Sequence, residues 1–163
     1  MSKGGGTTKS TKGVSEAFRE SQEYVTFIIA EQLFGIHVLK VQDVLNSHRI
    51  TRIPLAPSEI AGSLNLRGRI VTAIDVRRRL TLSSRKPSDC MSVVVDHHGD
   101  LYSLLVDNVG EVLALDPNEF ERNPPTLEPV LREYSQGIYR LKDKLLVILN
   151  VDRLLDIGRR QAA

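Results

Sequence analysis

From Glu23 onward, apolar and polar positions alternate in short bursts separated by turn-forming residues. In Tyr24-Val25-Thr26-Phe27-Ile28-Ile29, Val25, Phe27 and Ile29 fall on one face and Tyr24, Thr26 and Ile28 on the other, the period-two pattern of a strand. Glu31-Gln32 then makes a tight link to Leu33-Phe34-Gly35-Ile36-His37-Val38. The pattern predicts a hairpin, although the turn lacks the Asn-Gly chemistry that favours one. Ile50-Thr51-Arg52-Ile53 is a further apolar run ended by Pro54, and Pro57-Ser58-Glu59 predicts a turn or a short helix start. Residues 62–75 read as strand, turn, strand, with Gly68 where a two-residue loop can require positive φ. Residues 75–82 have room for one or two helical turns.

The second half repeats the style. Residues 91–95, 101–106 and 109–115 are predicted strands, with a turn over 96–100. Residues 137–141 lead through Lys142-Asp143-Lys144 into Leu145-Leu146-Val147-Ile148-Leu149, which is apolar at every position and so predicted to be buried on both faces. Val151, Leu154, Leu155 and Gly158 suggest a short C-terminal helix with Gly158 as its stop. About nine or ten short strands with little helix point to an all-β barrel or sandwich. The loop over 83–89 reads as a break between two small barrels, neither large enough for a good core alone, so a shared core is expected.

A chain of 163 residues suffices for one domain or two small units, and needs no disulfide or metal staple. Residues 1–21, rich in Gly, Ser, Thr and Lys, read as a disordered tail, 22–157 as the folded domain and 158–163 as a second tail. No run approaches the roughly 18 apolar residues of a membrane span, so no direct membrane insertion is expected. A lone Cys90 and the lack of a hydrophobic leader argue for a reducing cytoplasm, with Cys90 a buried strand residue.

Lys and Arg total 22 against 20 Asp and Glu, a net charge of +2. The basic clusters Arg77-Arg78-Arg79, Arg85-Lys86 and Arg159-Arg160 are short and read as solvated surface, so no nucleic-acid partner is expected. His37, His48, His97 and His98 have no metal-ligand spacing. Carboxylates are scattered, no Ser lies in a nucleophile elbow, and Gly4-Gly5-Gly6 follows no strand and precedes no Gly-Lys-Ser/Thr ending. Neither an enzyme nor a cofactor is expected. Arg67 is the charge of most interest. It stands among apolar strand residues beside a hairpin Gly and must be paired or face a groove. Asp43 and Asp75 are its candidate partners, and spacing leaves open whether Arg67 stitches strands together or shapes a binding surface.

The run Phe34-Gly35-Ile36-His37-Val38-Leu39-Lys40-Val41-Gln42-Asp43-Val44, followed by Ile50-Thr51-Arg52-Ile53-Pro54, resembles the chemotaxis coupling protein family, CheW. So do Gly62-Ser63-Leu64-Asn65-Leu66-Arg67-Gly68 before Ile74-Asp75-Val76-Arg77, Leu104-Leu105-Val106-Asp107, and residues 145–149 with Val151-Asp152-Arg153-Leu154-Leu155. The resemblance covers about residues 22 to 157. The module also occurs in the chemotaxis kinase CheA and in CheV-like proteins, whose additional domains this chain has no room for. The resemblance implies two five-stranded SH3-like β-barrels on a common hydrophobic core, with short helical turns and a C-terminal helix.

It also implies a non-catalytic adaptor that binds the cytoplasmic tip of methyl-accepting chemoreceptors and the regulatory domain of CheA at membrane receptor arrays. The alternatives are a scaffold of the same kind in a pilus or other non-flagellar chemosensory pathway, or an SH3-like binding module with another partner. The receptor-binding positions it implies are Val41, Met91 and Val112 in a groove between the barrels, with Asp43, Gly62 and Arg67 close by. From the residues alone, core packing explains Val41, Met91 and Val112 equally well. The chain departs from the family pattern at Asp43, commonly Glu, at His37, often Asp, at Ser103, where Gly is common, and at Thr72-Ala73, in place of a Val-Pro-like pair.

Overall fold

The computed structural model describes residues 21–46 and 49–157. The predicted N-terminal tail up to residue 20, His48, and the 158–163 tail with the Gly158 helix stop lie outside them. The strands, in chain order, are β1 (Gln22–Ile29), β2 (Gln32–His37), β3 (Val41–Leu45), β4 (Ile60–Leu66), β5 (Arg69–Asp75), β6 (Met91–His97), β7 (Asp100–Val106), β8 (Asn108–Leu115), β9 (Ser135–Arg140) and β10 (Leu145–Leu149). Three short helices, α1 (Val76–Arg79), α2 (Pro129–Glu133) and α3 (Val151–Leu154), complete the chain with three 3-10 turns.

The strands form two five-stranded sheets, ordered β8-β1-β2-β10-β9 and β3-β6-β7-β5-β4. The pairing pattern is the same in both. One edge strand lies antiparallel to a hairpin (β1-β2 or β6-β7), and the hairpin's second strand runs parallel to one strand of another hairpin (β9-β10 or β4-β5). The equivalence reaches into the sequence. Ile74-Asp75-Val76 at the end of β5 matches Leu149-Asn150-Val151 at the end of β10, and each Asx side chain caps the helix that follows. Asp75 Oδ1 accepts from Arg78 N at 3.2 Å, and Asn150 Oδ1 from Arg153 N at 3.1 Å.

The break expected at 83–89 lies elsewhere. That loop joins β5 to β6 within the second sheet, whereas the chain passes between sheets through the 3-10 turn Val38–Lys40 and again at Asp107, the one residue between β7 and β8. The N-terminal hairpin therefore belongs with the C-terminal strands.

Turn chemistry accounts for the hairpins. Arg67-Gly68 and His98-Gly99 both have positive φ, and in each case an Asx two residues before the turn accepts the glycine N–H: Asn65 at 2.9 Å and Asp96 at 3.1 Å. Between β1 and β2, Ala30 (φ 49°) and Glu31 (φ 70°) adopt the same left-handed pair without a glycine.

Phe27, Ile29, Phe34, Ile36, Val147 and Leu149 of the first sheet meet Ile74, Val93, Val95, Leu104 and Val106 of the second in a single buried cluster, as the shared-core expectation required. The opposite faces are also buried. Leu146 and Ile148 pack with Tyr24 and Tyr139, while Val94 and Leu105 pack with Leu64, Val71 and Cys90. Runs such as Val93-Val94-Val95 and Leu145 to Leu149 are apolar throughout because one face serves the shared core and the other its own sheet. Each such side chain contributes about 1.5–3 kcal/mol of burial. Among the described residues, no helix is long and apolar enough to cross a membrane.

Candidate functional site

Strands β3 and β4 are the two edges of the second sheet; Val41 and Asp43 lie on β3, Gly62 on β4 and Arg67 in the turn after it, whereas Met91 opens β6 and Val112 lies on β8 of the first sheet. Arg67, the first residue of the β4-β5 turn, places Nη1 2.9 Å from Oδ2 of Asp43 on β3, while Asp43 Oδ1 accepts from Val44 N at 2.8 Å. The ion pair thus makes a single tie between β3 and the turn that ends β4. Asp75, the other candidate partner, is occupied as the α1 cap. The shorter Asp in place of Glu still makes the reach. The Arg67 side chain is 77% exposed, so its contribution to stability is small.

Gly62 on β4 supports a second tie from the backbone. Its φ is +151°, and an added Cβ would lie 2.2 Å from the Thr51 carbonyl oxygen. Thr51 and Ser63 exchange two hydrogen bonds of 2.8 Å there, fastening the chain after β3 onto β4. The apolar run at 50–53 makes only this isolated bridge among the described residues.

Val41 opens β3 opposite Val95, immediately before a bulge, and packs against the shared core while remaining partly accessible. Met91 opens β6 and rests on the same core, its Sδ accepting from Val109 N of β8 at 3.3 Å. Val112, farther along β8 and opposite Val25, is 53% exposed. Met91 and β8 are therefore brought together across the two sheets. Val41 lies four residues along β6 from Met91, about 13 Å of strand. Val41 and Met91 lie where the shared core meets solvent, and Val112 is exposed three residues beyond the Val109 contact on β8.

The strongest electrostatic centre is one to which the sequence reading assigned no role. Asp107, at the crossing between sheets, accepts from Arg77 Nε at 2.9 Å and Arg77 Nη2 at 2.7 Å, and from Ala30 N at 2.9 Å. Arg85 Nη1 stands 3.3 Å away, and the Asp107 N–H donates to Ile28 O at 3.0 Å. Burial pushes the Asp107 carboxyl upward, but the hydrogen bonds from Arg77 and Ala30 and the nearby guanidinium charges outweigh it and hold the group below its ordinary value. Hydrogen bonding to Asp107 raises Arg77 in turn. The signal in the sequence was an aspartate ending the apolar run 104–106.

The reading of Arg77-Arg78-Arg79 as solvated charge is corrected for two of the three. Arg77 is committed to Asp107. Arg79 is buried, donating from Nε to Leu154 O at 2.9 Å and from Nη2 to Arg153 O at 3.0 Å at the end of α3, with its guanidinium over the Tyr134 ring. Cys90 is buried, and desolvation raises its thiol pKa, as suits a core residue. Among the described residues, no group of three or more His, Cys, Asp or Glu side chains is placed to hold a metal.

Comparison with known proteins places this arrangement. The family model for the CheW-like domain matches residues 23–158. The chemotaxis protein CheW of Klebsiella aerogenes is 30% identical over 135 residues, covering 82% of this chain and 81% of that protein. The crystal structure of the scaffolding protein TtCheW from Thermoanaerobacter tengcongensis superposes with a TM-score of 0.75 at 33% identity, covering 85% of this chain and 94% of that one. The protein PilI of Pseudomonas aeruginosa is 25% identical over 129 residues, covering 78% of this chain and 72% of that protein.

Proposed function

The chain belongs to the CheW-like domain family and is a chemotaxis adaptor, and on that premise we propose that it joins the cytoplasmic tips of chemoreceptors to the regulatory domain of the histidine kinase CheA. Receptor helices are read as lying along the rim marked by Val41, Met91 and Val112, with Asp43, Gly62 and Arg67 shaping its flank. The observation that supports this most directly is Val112, an aliphatic side chain left 53% exposed on a strand that touches Met91 across the two sheets. An amphipathic helix anchors apolar side chains in such a strip, and two to three turns span about 13 Å. The adaptable thioether of Met91 suits a surface that accepts more than one receptor.

The contribution to signalling is then binding alone, with no chemical step assigned to any residue. A contact of this kind buries about 800 Å² per side or less, and array formation supplies avidity. The chain would work at membrane receptor arrays without entering the bilayer. The similarity to PilI favours, as a second reading, the same scaffold role in a pilus-linked pathway.

The test is co-sedimentation with receptor-containing membranes and kinase. Val41→Glu and Val112→Glu are expected to abolish receptor binding while circular dichroism stays native. Full binding by both variants would refute the rim assignment.

A further inference from the structure

On the second sheet, residues 52–58 border a groove of about 530 Å³ whose lining includes none of Val41, Met91 and Val112. Within that stretch Ala56 N donates to Ile53 O at 3.3 Å, so residues 53–56 form a turn with Pro54 at its second position and Leu55 at its third, at φ +62°. Positive φ at the third position is the mark of a type II turn, which favours Gly or Asn there. This chain instead places a branched aliphatic residue in a strained conformation and exposes it completely. Both choices work against stability, and such local conflicts concentrate at functional surfaces. Residues 51–60 are also anchored at both ends. Thr51 is fastened to Ser63 at one end, and at the other Ile60 N donates to Pro57 O at 2.9 Å and Asp75 N to Glu59 O at 2.7 Å.

The rest of the groove is cationic. Arg52, Arg78 and Arg85 line it together with Ile53 and Leu55. Arg85 shares Asp107 with Arg77, but among the described residues neither Arg52 nor Arg78 is paired with a carboxylate. The groove's own aspartate, Asp75, is spent internally, one oxygen capping α1 and the other accepting from Ser84 Oγ at 2.6 Å.

We infer that this groove docks an acidic segment of a partner protein, whose carboxylates meet Arg52 and Arg78 while its aliphatic side chains pack on Leu55. A second copy of this chain related by two-fold symmetry would bring like charges together. A nucleic acid would find no aromatic side chain among the lining residues on which to stack a base. The groove is lined by none of Val41, Met91 and Val112, and the inference does not depend on their assignment.

The experiment titrates the full chain into two labelled peptides of equal length, one built from Glu and Leu and one from Lys and Leu, following fluorescence anisotropy at low and high salt. The Glu-Leu peptide is expected to bind, with affinity that weakens as salt rises, and the Lys-Leu peptide is not. The double variant Arg52→Glu/Arg78→Glu should reverse that preference. Leu55→Asn should weaken binding about tenfold while raising Tm by about 2 °C, because Asn tolerates the backbone and nothing is unburied. Val41→Glu should leave peptide binding unchanged. Equal binding of the two peptides, indifference to the arginine reversal, or undiminished binding by Leu55→Asn would overturn the inference. So would displacement of the peptide by a single-stranded oligonucleotide, or a dimer in sedimentation that Leu55→Asn abolishes.

Discussion

Replacing Asp107 with Asn tests whether one carboxylate holds the two sheets in their mutual orientation. In the native chain this side chain receives two hydrogen bonds from Arg77 and one from Ala30 N, with Arg85 at 3.3 Å. The amide keeps the shape and one acceptor oxygen, but it removes the charge opposite two guanidinium groups and turns a donor toward them. Breaking a fully buried ion pair costs about 3–5 kcal/mol. Here the Asp107 and Arg77 side chains are 10% and 19% exposed, so water recovers part of that, and the expected loss is about 2–3 kcal/mol. For a chain of this length, this corresponds to a fall in Tm of roughly 4 to 10 °C.

Urea unfolding of wild type, Asp107→Asn, Arg77→Met and the double variant measures the effect, and the cycle should return a coupling of about 1.5–3 kcal/mol. The pH dependence follows from the sign of the shift. The folded carboxyl lies below its ordinary value, so its stabilisation is complete above the unfolded value of about 3.9 and is lost as pH falls through the folded one. The difference between wild type and Asp107→Asn should therefore be flat between about pH 5 and 8 and shrink only below about pH 4. A loss under about 0.5 kcal/mol, additive single variants, or a difference that varies between about pH 5 and 8 would refute the role assigned to Asp107.

Gly62→Ala should cost about 3 kcal/mol, because its methyl would meet the Thr51 carbonyl at 2.2 Å and Ile50 Cγ2 at 2.7 Å on a backbone already at φ +151°. Thermal melts by circular dichroism check this, and an unchanged Tm would show that the loop is not seated on Gly62. Arg67→Ala removes a mostly exposed partner and should cost no more than about 1 kcal/mol while lowering receptor co-sedimentation about tenfold. A large fall in Tm would make Arg67 a structural strut instead.

The strands were legible because their signals are local. Alternation over residues 24–29, the doubly buried run at 145–149, and the Arg67-Gly68 turn each announce themselves within a few positions. The Ala30-Glu31 turn shows what such signals omit. Its left-handed pair carries no Gly or Asn, and part of its support comes from Asp107, 77 residues away. The passages between sheets were illegible for the same reason. The parallel pairings of β2 with β10 and β5 with β7 decide which strands share a barrel, and no turn or period records a parallel partner. The flexible-looking loop at 83–89 therefore reads as a boundary, while the true crossings are the short turn Val38–Lys40 and the single residue Asp107.

The arginine run carries this furthest. Successive residues on a helix point about 100° apart, so three adjacent guanidinium groups cannot share one environment. On α1 they separate into three fates: Arg77 to the Asp107 carboxylate, Arg79 under the end of α3, and Arg78 to the groove beside Leu55. A basic cluster in the sequence is thus not a basic patch in space. An electrostatic reading of this chain must start from Arg78 with Arg52, which lies outside the run.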